Sequence, residues 1–177
     1  AGDGSLLWER RYNGPANRRD MPTGLAIDSN GNAIVTGSSE NAVTDDYYTV
    51  KYAAADGALV WEIRYNGPAN STDTAKAVGL DAGGNVVVTG HSRNLANNDD
   101  YYTAKYAAVD GALLWEQRYN GPANGMDKAN AIIVDGIGNV IVTGQSPNGS
   151  DDDIHTVKYA AADGSLIWER RYASAGP

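Results

Sequence analysis

Asp56-Gly57-Ala58-Leu59-Val60-Trp61-Glu62-Ile63-Arg64-Tyr65-Asn66-Gly67-Pro68-Ala69-Asn70 is the stretch that decides the fold. Leu59, Trp61, Ile63 and Tyr65 alternate with Val60, Glu62 and Arg64, the period of two of a strand. Asp56-Gly57 opens the strand with turn chemistry, and Asn66-Gly67-Pro68 ends it, because proline cannot donate into a sheet. The same stretch recurs along the chain. Asp3-Gly4, Asp110-Gly111 and Asp163-Gly164 lead into Trp8, Trp115 and Trp168, with steps of 53, 54 and 53 residues between successive aspartates. Tyr-Asn-Gly-Pro-Ala-Asn returns at Tyr12 to Asn17 and at Tyr119 to Asn124.

The rest of the unit repeats as well. Gly31-Asn32, Gly84-Asn85 and Gly138-Asn139 each precede Val-Thr-Gly, at Val35, Val88 and Val142. Thr49 to Tyr52 matches Thr103 to Tyr106 and Thr156 to Tyr159. Such self-similarity implies one supersecondary unit copied three times, with a fourth begun. The 177 residues read as a single domain with repeats at about 3–55, 56–109, 110–162 and a partial 163–177.

Each unit reads as four strands. In the middle copy they are Ala75 to Leu80, the β-branched Asn85 to Gly90, Tyr101 to Tyr106, and Leu113 to Tyr119. Asp81-Ala82-Gly83-Gly84-Asn85 predicts a tight hairpin, since Gly and Asn tolerate positive φ. Ser92 to Asp99 is the longest and most polar connection. No segment has a helical period. An all-β chain with four short strands per ~54 residues points to radial four-stranded antiparallel blades, a β-propeller.

Composition narrows the function. The net charge is −8, from 22 acidic and 14 basic residues, which argues against a partner that is nucleic acid. There is no cysteine, so disulfides and thiolate metal sites are excluded. No apolar run of about 18 residues predicts a membrane span. The chain opens Ala1-Gly2-Asp3-Gly4, without Met and without a signal-peptide pattern, so a removed leader or a longer parent is expected.

Asp-Asp-Tyr-x-Thr-x-Lys-Tyr, Asp-Gly-x-Leu-x-Trp, Arg-Tyr-Asn-Gly-Pro and Asp-x-x-Gly-Asn-x-x-Val-Thr-Gly together resemble the bacterial SBBP β-propeller repeats, over essentially the whole chain. The resemblance implies a secreted or cell-surface bacterial protein and no defined activity, because function lives in sites grafted on a fold. The spacing Gly57-x-x-x-Trp61 also resembles the tryptophan docking motif of quinoprotein propellers, where Trp packs between blades. The Thr of that motif is missing here, so the resemblance implies packing and no quinone cofactor. The expected blade-packing residues are Trp8, Trp61, Trp115 and Trp168, with Tyr52, Tyr106 and Tyr159.

Three blades do not close a ring, since propellers usually have about four to eight. An uncovered blade face is an association surface. The chain is therefore expected to partner with itself, as a closed oligomer or an open filament, or to belong to a longer propeller. Leu6 to Tyr12 is one outer strand too many for three blades. It is read as an assembly strand, with Leu6, Trp8, Arg10 and Tyr12 on one face, able to pair with a neighbouring chain.

Site chemistry is sparse. Asp45-Asp46, Asp99-Asp100 and Asp151-Asp152-Asp153 are placed at the end of the longest loops, near Asn17, Asn70 and Asn124. An acidic face of this kind offers a Ca²⁺ site at Asp45, Asp46, Asp99, Asp100, Asp152 and Asp153, or a surface for cell-surface polysaccharide. The competing reading is that these residues cap turns and keep the surface soluble. Asp28-Ser29-Asn30-Gly31-Asn32 begins like a calcium loop but has Ser39 where the terminal Glu belongs, and reads as a hairpin. His91 and His155 fall at non-equivalent repeat positions, and His155 replaces a Tyr. No nucleophile elbow, phosphate loop or dinucleotide fingerprint is present, so an enzyme is not expected and neither is a cofactor other than Ca²⁺.

Overall fold

The computed structural model describes residues 2–149 and 151–173. The last four positions of the fourth repeat lie outside the described residues. Blade 1 holds β1 (Asp20–Ile27), β2 (Ala33–Glu40), β3 (Asp45–Tyr52) and β4 (Leu59–Tyr65). Blade 2 holds β5 (Asp73–Leu80), β6 (Val86–Arg93), β7 (Asp99–Tyr106) and β8 (Leu113–Tyr119). Blade 3 holds β9 (Lys128–Val134), β10 (Val140–Pro147), β11 (Asp152–Tyr159) and β12 (Leu166–Tyr172). Each blade is a separate antiparallel sheet with its strands in sequence order. The architecture is an all-β propeller of three four-stranded blades.

The blade interfaces follow from the period of two. In β6, Val86 and Val88 face blade 1 and Val87 faces blade 3, and all three are fully buried. The first core joins Ile34, Tyr47 and Trp61 of blade 1 to Ala75, Val86, Val88, Tyr102, Ala104 and Tyr106 of blade 2. The second joins Val87, Tyr101 and Trp115 to Ala129, Val140, Val142, Val157 and Tyr159. Burying each of the core valines contributes about 1.5–3 kcal/mol, so the blades hold one another rather than standing alone.

The structure departs from the sequence reading at strand ends and in the first segment. The acidic pairs are not in loops: Asp99 and Asp100 open β7 and pair with Arg93 and Ser92 of β6. The ladder runs further because these side chains find partners along the sheet, which shortens the connection. The segment Leu6 to Tyr12, expected as a strand, enters no sheet among the described residues. It is held by its side chains against blade 1, as described next.

Candidate functional site

The site grows from the first hairpin of each blade. Asp28 Oδ1 accepts the amides of Asn30 and Asn32, both at 2.9 Å, and Oδ2 accepts Asn32 Nδ2 at 2.9 Å. Gly31 takes φ 80°, the left-handed conformation that this turn requires. Asn32 Oδ1 then accepts the amide of Ala54 at 3.0 Å, which ties the hairpin to the β3–β4 turn. Lys51 Nζ closes the unit on Asp28 at 2.9 Å, with both side chains buried. Burial raises the Asp28 carboxyl, but Asn32, Lys51 and the two turn amides outweigh it and hold its pKa down at about 2. Asp81, Asn85 and Lys105 repeat the arrangement, as do Asp135, Asn139 and Lys158.

The same unit makes the joint between blades. Its turn presents a carbonyl to the preceding blade. Ala108 O accepts Trp61 Nε1 at 3.2 Å and Lys51 Nζ at 2.8 Å, both from blade 1. Ala161 O accepts Trp115 Nε1 at 3.3 Å and Lys105 Nζ at 2.9 Å, both from blade 2. The indole lies on the glycine of the turn: a Cβ on Gly111 would sit 3.0 Å from the Trp61 ring, and one on Gly164 2.7 Å from that of Trp115. The Asp-Gly repeat is thus both a turn and the seat of the preceding blade's tryptophan, a second role the turn chemistry alone did not reveal.

A second joint sits at the other end of the outer strand. Tyr65 stacks on Tyr102 of the next blade, with centroids 3.9 Å apart, and its hydroxyl accepts Arg118 Nη2 at 2.6 Å. Tyr119 does the same with His155 at 3.9 Å and Arg171 at 2.8 Å. Tyr102 donates to Glu116 at 2.6 Å, and His155 meets Glu169 at 3.2 Å through Nε2. His155 therefore replaces a tyrosine while keeping both its stacking and its carboxylate partner.

The two outer faces carry unequal halves of this joint. On blade 1, Trp8 Nε1 donates to Ala54 O at 3.0 Å, Arg10 Nε to Gly57 O at 2.6 Å, and Tyr12 stacks on Tyr48 at 4.0 Å. Arg64 Nη2 donates to the Tyr12 hydroxyl at 2.9 Å, completing the pattern. The segment thus takes the place on blade 1 that β4 takes on blade 2. On blade 3, Trp168 is half-buried, and among the described residues its indole N–H has no acceptor. Lys158 has Asp135 but, among the described residues, no carbonyl beyond it, and Tyr172 is 69 % exposed. Ile154, where the other blades carry a buried Tyr47 or Tyr101, is 57 % exposed.

The tyrosines read as packing residues lie in the same joints. Tyr52 meets Trp8 at 6.3 Å and Tyr159 meets Trp115 at 6.2 Å, while Tyr106 belongs to the core that holds Trp61. Leu6, by contrast, is exposed.

The six aspartates read as a cation face are each held by the protein's own donors. Asp46, Asp100 and Asp153 are buried and pair with Arg64 at 3.2 Å, Arg118 at 3.5 Å and Arg171 at 3.1 Å. Each also accepts an asparagine amide, from Asn41, Asn94 and Asn148. Asp45 pairs with Arg19 at 2.8 Å, and Asp99 with Arg93 at 3.0 Å and Lys128 at 3.5 Å. Asp152 accepts Gln145 Nε2 at 3.1 Å. Among the described residues, no group of three or more His, Asp or Glu side chains gathers as a metal site would require. The positional repeat was legible in the sequence; the arginine 18 residues further on that meets each buried Asp was not.

No curated protein matches the chain. Among solved structures, that of BamB from Moraxella catarrhalis superposes with a TM-score of 0.53 at 19 % identity. The match covers 95 % of this chain and 40 % of that one, so the chain spans less than half of that structure's length. At this identity the likeness concerns the fold. A family model described as outer membrane protein assembly factor BamB matches residues 1–176, and the chain belongs to that propeller family.

Proposed function

We propose that this chain is a non-catalytic interaction module of the bacterial cell envelope or surface that associates blade to blade, a second copy being the partner it meets first. One observation carries the reading. Asp3 to Tyr12 and Asp163 to Tyr172 are identical except for Leu7 and Ile167, and the first of these segments is already docked on blade 1. Blade 1 therefore accepts a sequence that differs at one position from the one blade 3 displays. An outer strand from a second copy would bring Trp168 to Ala54 O and Tyr172 to Tyr48, displacing Trp8 and Tyr12. Such a heterologous contact closes into a ring or continues as a filament, according to its rotation.

The envelope reading is supported by the description of the family model, an outer membrane protein assembly factor, and by the SBBP-like motifs. Native mass by light scattering or mass spectrometry tests the association. A discrete dimer or trimer, or a polydisperse filament, supports it. A strict monomer at concentrations up to the millimolar range rejects self-association.

A further inference from the structure

The outer face of blade 1 holds a cavity of about 230 Å³, lined by Tyr12, Pro22, Val35, Gly37, Tyr48 and Val50 among others. The equivalent place between blades 1 and 2 is filled by Tyr47. Its ring lies 5.8 Å from Tyr65 and 5.4 Å from Tyr102, and its hydroxyl donates to Tyr102 O at 3.3 Å. Gly90 makes the room, since a Cβ there would come within 2.6 Å of that hydroxyl. Between blades 2 and 3 the place is filled by Tyr101. It lies 5.5 Å from Tyr119 and 5.7 Å from His155, with its hydroxyl 3.3 Å from His155 O and close beside Gly144. On blade 1 the repeat supplies the same parts, with Tyr12 for Tyr65, Tyr48 for Tyr102 and Gly37 for Gly90. Tyr48 O accepts Thr36 Oγ1 at 3.4 Å, as Tyr102 O accepts Thr89 Oγ1, and among the described residues has no tyrosine donor.

We propose that this cavity is a tyrosine slot, which takes the phenol of a tyrosine carried on the third strand of a partner propeller blade. The phenol would pack on Tyr48 over Gly37, beside Tyr12 or the partner tyrosine that displaces it, and donate its hydroxyl to Tyr48 O. The chain itself fills the two internal copies of the site with tyrosine, in the context Asp-Asp-Tyr-Tyr-Thr at 45–49 and 99–103. The chain's own third blade offers Ile154 at that position, which has the bulk of a strand residue but no hydroxyl. The third blade of an identical copy therefore docks without this hydrogen bond, and a blade that carries the tyrosine docks more tightly. The inference rests on blade 1 being a docking face, and does not require that the partner be a second copy.

The test uses p-cresol, the tyrosine side-chain analogue, against toluene, on the full chain followed by NMR. The expected result is saturable shifts at the methyls of Val35 and Val50, with p-cresol bound about tenfold more tightly than toluene, as one added hydrogen bond provides. Absence of shifts at these methyls, or equal affinity for the two compounds, overturns the slot. A second arm compares Ile154→Tyr with Ile154→Phe by sedimentation. The tyrosine variant is expected to self-associate about tenfold more tightly than the phenylalanine variant. Equal association overturns tyrosine as the group the strand delivers. A wild-type protein that is monomeric yet binds p-cresol at this place keeps the slot and removes self-association alone.

Discussion

Trp61 Nε1 and Ala108 O, 47 residues apart in sequence, meet at 3.2 Å across the boundary between blades 1 and 2. Lys51 Nζ shares the same carbonyl, so one backbone oxygen joins two strands of one blade to a turn of the next. The joint recurs at Trp115 and Ala161, and at Trp8 and Ala54. Its repetition, with different completeness in each copy, lets the blades serve as controls for one another.

Trp61 and Trp115 are each 6 % exposed. Replacing either by Ala is expected to cost about 3–5 kcal/mol in denaturant unfolding, through lost burial and a residual cavity. Trp168→Ala should cost less than about 1 kcal/mol in dilute protein, because nothing described covers its outer side, and should weaken any self-association. Equal losses at all three positions would contradict this placement of the joint.

Lys105 offers a sharper contrast. It is buried with Asp81 at 2.8 Å, and removing it strands that carboxylate. Lys105→Ala should cost about 3–5 kcal/mol. Lys158→Ala, in the more exposed pair with Asp135, should cost about 1 kcal/mol or less. Chemical denaturation of both variants measures the difference.

Deleting residues 1–12 removes Trp8 from Ala54 and Tyr12 from Tyr48, and uncovers apolar blade surface. The truncated protein is expected to show a higher sedimentation mass than the full chain at equal concentration. An unchanged mass would mean that the segment does not occupy the docking surface.

The histidines set a pH dependence. Burial lowers the pKa of His155, against the pull of Glu169, and lowers that of His91 to about 4, against the pull of Asp99. Both groups fold preferentially in the neutral form. Their contribution is complete above about pH 6.5 and is lost as pH falls through the folded pKa values. His155→Tyr restores the pairing seen for Tyr102 with Glu116 and removes one titrating group. Its melting temperature should therefore fall less than that of the wild type between pH 8 and pH 5, as followed by circular dichroism.

Calcium provides a separate test of the acidic repeats. Asp46, Asp100 and Asp153 already share their oxygens with an Arg and an Asn each. Millimolar Ca²⁺ is expected to leave the melting temperature unchanged. A rise of several degrees, reversed by chelator, would mean that a cation binds the folded chain after all.

Much of this molecule is legible in its sequence. The fold class, the blade count and the hairpin at Asp28 to Asn32 follow from the period of two and from turn residues, which act over a few neighbouring positions. The strand limits were less legible, because Asp99 and Asp100 look like loop residues until Arg93 and Arg118 are seen beside them.

What the sequence determined by itself is therefore the repeated local unit: four strands, their alternation, and turns closed by Asp, Gly and Asn. Only the tertiary structure decided what those residues meet. It set the indole of Trp61 on Gly111, paired Asp46 with Arg64, and filled two tyrosine positions while leaving the third as a cavity on blade 1. The physical reason is distance along the chain. Strand period and turn propensity are local, whereas Asp46 meets an arginine 18 positions on and each tryptophan joint between blades unites residues 46 or 47 positions apart, and near-identical repeats carry no mark of which copy faces which until the blades are packed.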